Sequence, residues 1–251
     1  MSNQPQKRHL KKSVKLILLL IFIFFAIFLI MIKASNNHVN ALQSELLATK
    51  GDLKKSKKQI HSLQEEVKFP LKSYELKTRK ELQSEKLNSN LILQTDERWA
   101  NKSYGWGTYT TVDKNACAIA SLSMINAYWK HTPLTINSVL NWAKNDYFTD
   151  SGTSWSIFPA FAKEYGYEYK DLGTNISNAT SYLKKGIPVV ISVKPGKFTS
   201  VGHIMVLSHF DGKNIRLLDP NDDAKKKHTL TNFSELEMQQ ELTHIWVFTD
   251  K

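Results

Sequence analysis

Cysteine is almost absent from the sequence, since Cys117 is the one cysteine in 251 residues. A single cysteine excludes an intramolecular disulfide, so the chain depends on its core rather than on cross-links. Three interpretations of Cys117 remain: a buried structural side chain, half of an intermolecular disulfide, and a nucleophile. The residue opens an apolar helical pattern, Asn115–Trp129. In the first turn of a helix the dipole and unpaired N–H groups lower the pKa of a thiol, which is what a nucleophile requires.

Excess basic charge is missing from the larger part of the chain, although the formal net charge is +11. Residues 1–90 hold seventeen basic and seven acidic residues, whereas residues 91–251 hold seventeen and sixteen. No basic patch with interleaved aromatic residues occurs in 91–251, so nucleic acid is not an expected partner. A second cysteine and a His-x-x-x-His pair are also lacking, and we predict no metal and no cofactor.

One long apolar run stands near the N-terminus. Five basic residues within 1–15 precede Leu16–Ile32, which is uninterrupted by any polar residue. Positive charge is sparse after the run, where Lys33 is followed next by Lys50. The positive-inside rule therefore predicts a cytoplasmic tail over 1–15, a transmembrane helix over 16–33 and an extracytoplasmic remainder. A cleaved signal peptide, which would release a secreted form, is the alternative; the length of the run and the lack of a small-x-small site disfavour it.

A seven-residue apolar repeat follows the predicted membrane span. Val39, Leu46, Leu53 and Ile60 continue to Val67, and Pro70 stops the pattern. This spacing predicts a coiled-coil-like stalk over 34–70, through which a homodimer could form; a single solvated helix is the alternative. Residues 71–90 are polar and charged without periodicity, which predicts a linker.

Residues 91–251 have the composition of one globular domain with its own core. All six tryptophans lie beyond residue 98, and turn signals alternate with apolar runs. Helical patterns come first and strand patterns follow, which predicts an α+β fold with a C-terminal antiparallel sheet. The predicted helices are Asn115–Lys130, Thr135–Ala143, Ser154–Tyr165 and Asn178–Lys185, and the predicted strands are Pro188–Val193, Ile204–Phe210, Ile215–Leu218 and His244–Thr249.

A predicted hairpin brings a histidine and an aspartate towards each other. His203 begins one strand, and Asp219 ends the next, just before Pro220. With a three-residue loop, Asp211–Lys213, Asp219 falls diagonal to His203 on the same face of the sheet. A two-residue loop would place it on the opposite face unless a bulge intervenes. The other histidines, including those in polar loops, are weaker candidates for a general base.

Four segments in this order resemble the papain-like cysteine peptidases, in particular the family related to bacteriocin-processing, double-glycine peptidases. They are LQTDERWANKSYG (Leu93–Gly105), NACAIASLSMI (Asn115–Ile125), LKKGIPVVISV (Leu183–Val193) and GHIMVLSHFDGKNIRLLDP (Gly202–Pro220). The resemblance implies a papain-like fold over 91–251. It also implies Cys117 as the nucleophile, His203 as general base and acid, Asp219 as the residue that orients the imidazole, and Gln94 as the oxyanion glutamine.

Together, the anchor and the resemblance predict a membrane-anchored, outward-facing bacterial cysteine peptidase. Its substrate would be a peptide or protein, including surface proteins and cell-wall cross-links. Two alternatives stay open at this point: an acyl transferase that uses the same residues, and a catalytically silent binding or scaffold module. Ser151–Trp155 and Val193–Val201 are the loops expected to line the cleft.

Overall fold

The computed structural model describes residues 12–108 and 110–251. It divides the chain into two units, residues 1–63 and residues 64–251. Most of the basic tail predicted over 1–15 lies outside the described residues.

Helix α1 spans Lys12–Lys68. Its apolar segment Leu16–Ile32 is exposed almost throughout. Within the described residues, α1 is the one helix long and apolar enough to cross a membrane, judged by length and composition. The helix is therefore compatible with the anchor predicted over 16–33.

The heptad residues of α1 are exposed as well, including Val39, Leu46 and Ile60. The helix ends at Lys68, two residues before Pro70. Pro70 begins the next helix, where its missing N–H removes no hydrogen bond. Pairing of two stalks remains a prediction.

Helix α2 spans Pro70–Ser84 and so covers most of the segment 71–90 that the sequence predicted to be a linker. That prediction was wrong for these residues. The helix buries Glu75, Thr78, Arg79 and Leu82. Because three of these four side chains are polar or charged, the helix leaves no apolar stripe for a search by hydrophobic periodicity to find.

The remaining elements confirm the α+β class. The other helices are α3 (Val112–Asn115), α4 (Cys117–Lys130), α5 (Asn137–Ala143), α6 (Ile157–Tyr165), α7 (Ile176–Leu183) and α8 (Glu235–Glu241), with a 3-10 helix at His228–Leu230. The strands are β1 (Phe148–Thr149), β2 (Gly152–Thr153), β3 (Glu168–Gly173), β4 (Val189–Val193), β5 (His203–Phe210), β6 (Asn214–Leu218), β7 (Phe233–Ser234) and β8 (Leu242–Thr249). Strands β1 and β2 pair with each other, and the other six form an antiparallel sheet in the order β3-β8-β4-β5-β6-β7.

The six-stranded sheet separates two apolar clusters. Ile204 and Val206 of β5 belong to the cluster that contains α4, α5 and α6, whereas Met205 and Leu207 belong to the cluster that contains α7. This alternation follows from the two-residue period of a strand. The sheet is therefore covered by helices on both faces, which explains why β4 is buried at every position.

Helix α4 packs directly on β5. Its residues 118–127 are all buried, and many of them are alanine or serine, which lets the helix backbone approach the sheet closely. The hydroxyl of Ser121 donates to the carbonyl oxygen of Ile204 at 3.3 Å. Ser121 lies one turn after Cys117, and Ile204 follows His203. This contact therefore brings the start of α4 to the start of β5.

Candidate active site

Cys117 is the first residue of α4. The sequence predicted one helix from Asn115, but the chain forms the short helix α3 and starts afresh after Ala116. Ala116 has no side chain that could cap the first turn, so the N–H groups there are not occupied by a capping oxygen. Cys117 as a residue is partly exposed, and it packs against the core cluster that contains α4.

His203 and Asp219 form the hydrogen bond that the hairpin predicted. The imidazole Nε2 lies 2.7 Å from Asp219 Oδ1, and both side chains are buried, with exposed fractions of 6% and 1%. An ionised carboxylate only accepts, so Nε2 carries the proton and donates it. Nδ1 is then the ring nitrogen that remains for the Cys117 thiol, with which His203 interacts.

A β-bulge sets the face on which Asp219 lies. Near the turn Phe210 pairs with Ile215, but beyond Ser208 the register shifts by one, and Val206 pairs with Leu218. Continued by one residue, the shifted register puts Asp219 opposite Met205, on the same face as His203. The unshifted register would put it opposite Val206, on the other face. The bulge therefore places Asp219 on the same face of the sheet on which a three-residue loop would have placed it.

The thiol and the imidazole shift each other's pKa in opposite directions. Burial alone would raise the pKa of Cys117, but the hydrogen bond and charge of His203 lower it below its usual range, helped by the N–H groups of Ile204 and Ala118. Burial alone would lower the pKa of His203, but the charge and hydrogen bond of Asp219, with a further contribution from Cys117, raise it to about 10. These directions favour a thiolate beside an imidazolium at neutral pH.

Asp219 also binds a second histidine, His228, which the sequence analysis had left among the weaker candidates. His228 Nδ1 lies 2.7 Å from Asp219 Oδ2, and the backbone N–H of Asn221 donates to Oδ1 at 2.7 Å. Burial would raise the pKa of Asp219, yet the charge of His203 and these hydrogen bonds hold it well below its usual range. No sequence spacing revealed His228, because it follows a nine-residue loop that only the fold brings back.

The loop after Asp219 is organised by Asp222. Its carboxylate accepts from the N–H groups of Asp223, His228 and Thr229 and from the hydroxyl of Tyr74, all at 2.9 Å. Asp222 is buried.

Asp219, Asp222 and His228 form a cluster of potential metal ligands within 4.8 Å of one another. The sequence analysis, which predicted no metal, did not bring these three residues together. The carboxylate oxygens of this cluster accept hydrogen bonds from the protein and order the loop.

Gln94 lies between the Asp219 loop and α3. Its backbone N–H donates to the carbonyl oxygen of Pro220, and its Nε2 donates to that of Asp113, both at 2.7 Å. Because a carbonyl accepts only, Asp113 determines which end of the amide is nitrogen. Gln94 Oε1 is buried without a hydrogen-bond partner among the described residues. The side chain is therefore held next to the segment that leads into Cys117, and the second Nε2 proton has no hydrogen bond to any residue of 12–108 or 110–251.

The two loops expected to line the cleft adjoin these residues. Thr153 lies in the first loop and contacts the buried Tyr104 hydroxyl at 2.9 Å and the Asn115 carbonyl at 3.5 Å. In the second loop, the Phe198 ring meets the His228 ring edge to face at 5.3 Å. The first loop thus contacts the segment that precedes Cys117, and the second loop contacts His228, which binds Asp219.

Comparison with solved structures finds two peptidase domains to which this chain is similar. The peptidase domain of Streptococcus ComA, a bifunctional ABC transporter involved in a quorum sensing pathway, is 18% identical with a TM-score of 0.44; the match covers 55% of this chain and 94% of that one. A double glycine motif protease from an AMS/PCAT transporter, solved in complex with a leader peptide, is 22% identical with a TM-score of 0.40; the match covers 54% and 84%. No curated protein sequence matched.

The family model described as the Peptidase_C39 like family matches residues 87–246, which is more than half of the chain. This match confirms the resemblance seen in the sequence. The chain belongs to the Peptidase_C39 like family, and residues 87–246 form its cysteine peptidase domain.

Proposed function

We propose that the protein is a membrane-anchored, extracytoplasmic cysteine peptidase that uses a Cys117–His203–Asp219 triad. The observation that carries the proposal is the 2.7 Å hydrogen bond between the buried imidazole of His203 and the buried carboxylate of Asp219, together with the effect of His203 in lowering the pKa of the Cys117 thiol. A purely structural cysteine has no need of this arrangement. Nucleophilic catalysis does need it, because a thiol must be ionised by a base that a third group orients.

The reaction is acyl transfer from a peptide to water. The Cys117 thiolate attacks the carbonyl carbon of the scissile bond and forms a tetrahedral oxyanion. His203 then protonates the leaving amine, and a thioester remains on the enzyme. Water, deprotonated by His203, attacks the thioester and releases the acid.

The oxyanion is stabilised at the start of α4. The backbone N–H of Cys117 is one donor, aided by the positive end of the helix dipole. The uncommitted Nε2 proton of Gln94 is the second. Its other proton is donated to Asp113, which fixes the amide in advance of the reaction. Preorganised donors of this kind lower the barrier because they need not reorient as charge develops.

The anchor would hold the peptidase domain at the outer face of a membrane, where its substrate is a peptide or protein. The support comes from the apolar segment of α1 and from the basic residues that precede it. Charged residues on the N-terminal side keep that end in the cytoplasm.

The test is the pH dependence of iodoacetamide alkylation in the full chain, held in detergent micelles. Cys117 is the one thiol, so the label reports this site alone. We expect an apparent pKa well below the ordinary value of about 8.5. His203→Gln should move the profile to higher pH, because it removes the imidazolium that stabilises the thiolate.

His209→Gln is the matched control, since His209 lies on the same strand as His203 and the structure shows no hydrogen bond between it and Cys117. This variant should keep the wild-type profile. A wild-type thiol with an ordinary pKa, or one that His203→Gln leaves unchanged, would contradict the triad and favour a binding module. Once the triad is established, mass spectrometry of the products distinguishes hydrolysis from transfer to an amine.

A further inference from the structure

Helix α2 lies outside the residues that the family model matches, which begin at residue 87. It nevertheless contacts both loops that carry the candidate site. Most of its buried side chains are polar or charged. Hydrogen bonds and ion pairs therefore determine where it sits, and such directional contacts specify one position more sharply than apolar packing does.

Glu75 connects α2 to the Gln94 loop. Its carboxylate is fully buried and accepts the backbone N–H of Leu93, the residue before Gln94, at 2.7 Å. The guanidinium groups of Arg79 and Arg98 lie 2.6 Å and 2.8 Å from the same carboxylate. Burial raises the pKa of Glu75 to about 7, although Arg79 and Arg98 act to lower it. The hydrogen bond from Leu93 fixes the backbone next to Gln94.

Arg79 makes a second contact with the segment that leads to Gln94. Its Nε donates to the carbonyl oxygen of Leu91 at 2.7 Å. Two consecutive turns of α2 therefore hold 91–93 from one side, and Pro220 holds Gln94 from the other.

Tyr74 connects α2 to the Asp219 loop. Its hydroxyl donates to Asp222 Oδ2 at 2.9 Å. Asp222 in turn binds the backbone N–H of His228, whose imidazole donates to Asp219. A series of three hydrogen bonds thus runs from Tyr74 to the carboxylate that orients His203.

The first turn of α2 is itself fastened near Gln94. The N–H groups of Leu71 and Lys72 donate to the carboxylate of Glu97 at 2.9 Å and 3.1 Å. A carboxylate at a helix N-terminus is favoured by the unpaired N–H groups and by the helix dipole.

We propose that Tyr74 and Glu75 are positioning residues of the peptidase site, and that α2 holds the Asp219 loop and the Gln94 loop in one arrangement. The inference rests on the proposed function, since both residues act only through Asp219 and Gln94. The catalytic unit of this chain accordingly begins near Pro70, ahead of the family match.

The test uses the full chain in detergent micelles and two probes of Cys117. Iodoacetamide reports the thiolate alone, because displacement of iodide creates no oxyanion. p-Nitrophenyl acetate forms a thioester on the thiol and releases p-nitrophenolate through a tetrahedral oxyanion, so it also reports oxyanion stabilisation. The variants are Tyr74→Phe and Glu75→Gln, with Leu76→Ala as the matched control at an exposed position of α2.

The two variants should respond differently to the two probes. In Tyr74→Phe the alkylation profile moves to higher pH by about half to one pKa unit, so at a pH below the thiol pKa the rate falls about three- to tenfold. In Glu75→Gln the alkylation profile stays close to wild type, whereas acylation by p-nitrophenyl acetate falls about tenfold or more. Leu76→Ala keeps both rates.

Wild-type rates in both variants would overturn the inference. Equal losses with both probes, in step with a lowered unfolding temperature, would also overturn it, because α2 would then only stabilise the fold. Tyr74→Phe removes one hydroxyl and is the safer variant if Glu75→Gln fails to fold. A failure of the proposed function is distinguishable, since it would show as an ordinary thiol pKa in the unsubstituted chain.

Discussion

The carboxylate of Asp219 serves two imidazoles, with one oxygen for His203 and the other for His228. This double contact fixes the plane of the carboxylate. We predict that His228→Phe, which keeps a ring against Phe198 but removes the N–H donor, slows alkylation of Cys117 near pH 6 several-fold. Asp219→Asn should slow it by more, about tenfold or greater, because it removes the charge that raises the pKa of His203. An alkylation rate in His228→Phe equal to that of wild type would show that one contact suffices.

The thiol and the imidazole also predict how stability depends on pH. His203 has a folded pKa of about 10, above its ordinary value of 6.5, so its contribution is present below 6.5 and is lost as the pH rises through 10. Cys117 has a lowered pKa, so its contribution is present above its ordinary value of 9.0 and is lost as the pH falls through the folded pKa. At a pH between 6.5 and 9 that also lies above the folded pKa of Cys117, the folded and unfolded states each bind one proton at this pair, and stability should be level.

The substitution Cys117→Ser removes the thiol whose titration offsets that of His203. Only His203 then titrates, and stability should fall from about pH 6.5 upward by up to about 1.4 kcal/mol per pH unit. Tryptophan fluorescence during thermal unfolding measures this in the full chain, because all six tryptophans lie beyond residue 98. Parallel pH profiles for wild type and Cys117→Ser would contradict the thiolate–imidazolium pair.

At the scale of elements, the distance between α4 and β5 decides whether thiol and imidazole meet. Ser121 sits at this contact and is buried. Ser121→Leu should destabilise the domain by about 1–3 kcal/mol through overpacking and should raise the apparent pKa of Cys117, because the helix is pushed from the strand. Ser121→Ala is the matched control and should change both quantities little. Thermal unfolding and the alkylation profile measure them, and wild-type behaviour of Ser121→Leu would show that the contact is loose.

The β-bulge at Ser208 is the second element-scale feature on which the site depends. The Ser208 hydroxyl is buried without a hydrogen-bond partner among the described residues. Since the bulge is a backbone feature, Ser208→Ala should keep the register and the alkylation profile. Stability should be unchanged or raised by up to about 1 kcal/mol, because the unpaired hydroxyl is removed. A loss of alkylation in this variant would mean that the hydroxyl itself maintains the bulge.

At the scale of the whole molecule, the charge distribution predicts a single orientation in a membrane. Trypsin added to intact spheroplasts should digest the peptidase domain, because residues 34–251 would lie outside. In inside-out vesicles the same domain should be protected. Replacement of the five basic residues of 1–15 by glutamine should weaken this asymmetry. Protection in spheroplasts, or release of the domain into the medium, would contradict a retained anchor of this orientation.

The sequence by itself determined the features that depend on local pattern. Seventeen apolar residues in a row specify a long apolar helix whatever surrounds them, and Pro70 separates it from the helix that follows. Apolar runs between turn signals predicted β4, β5, β6 and β8, and the resemblance of four segments to a peptidase family implied Cys117, His203 and Asp219 as one site. The runs need only neighbouring residues, and the resemblance needs only the order of segments along the chain, so both could be read without the fold.

Tertiary structure decided the features in which distant polar groups meet. Helix α2 could not be found from its pattern, because Glu75 and Tyr74 are stabilised by partners 18 and 148 residues away. His228 joined the site because a loop closed over Asp222. The bulge at Ser208, rather than the length of the turn, put Asp219 on the face of His203. Burial of a polar group is favourable only when its partner is already in place, and only the folded chain supplies that partner.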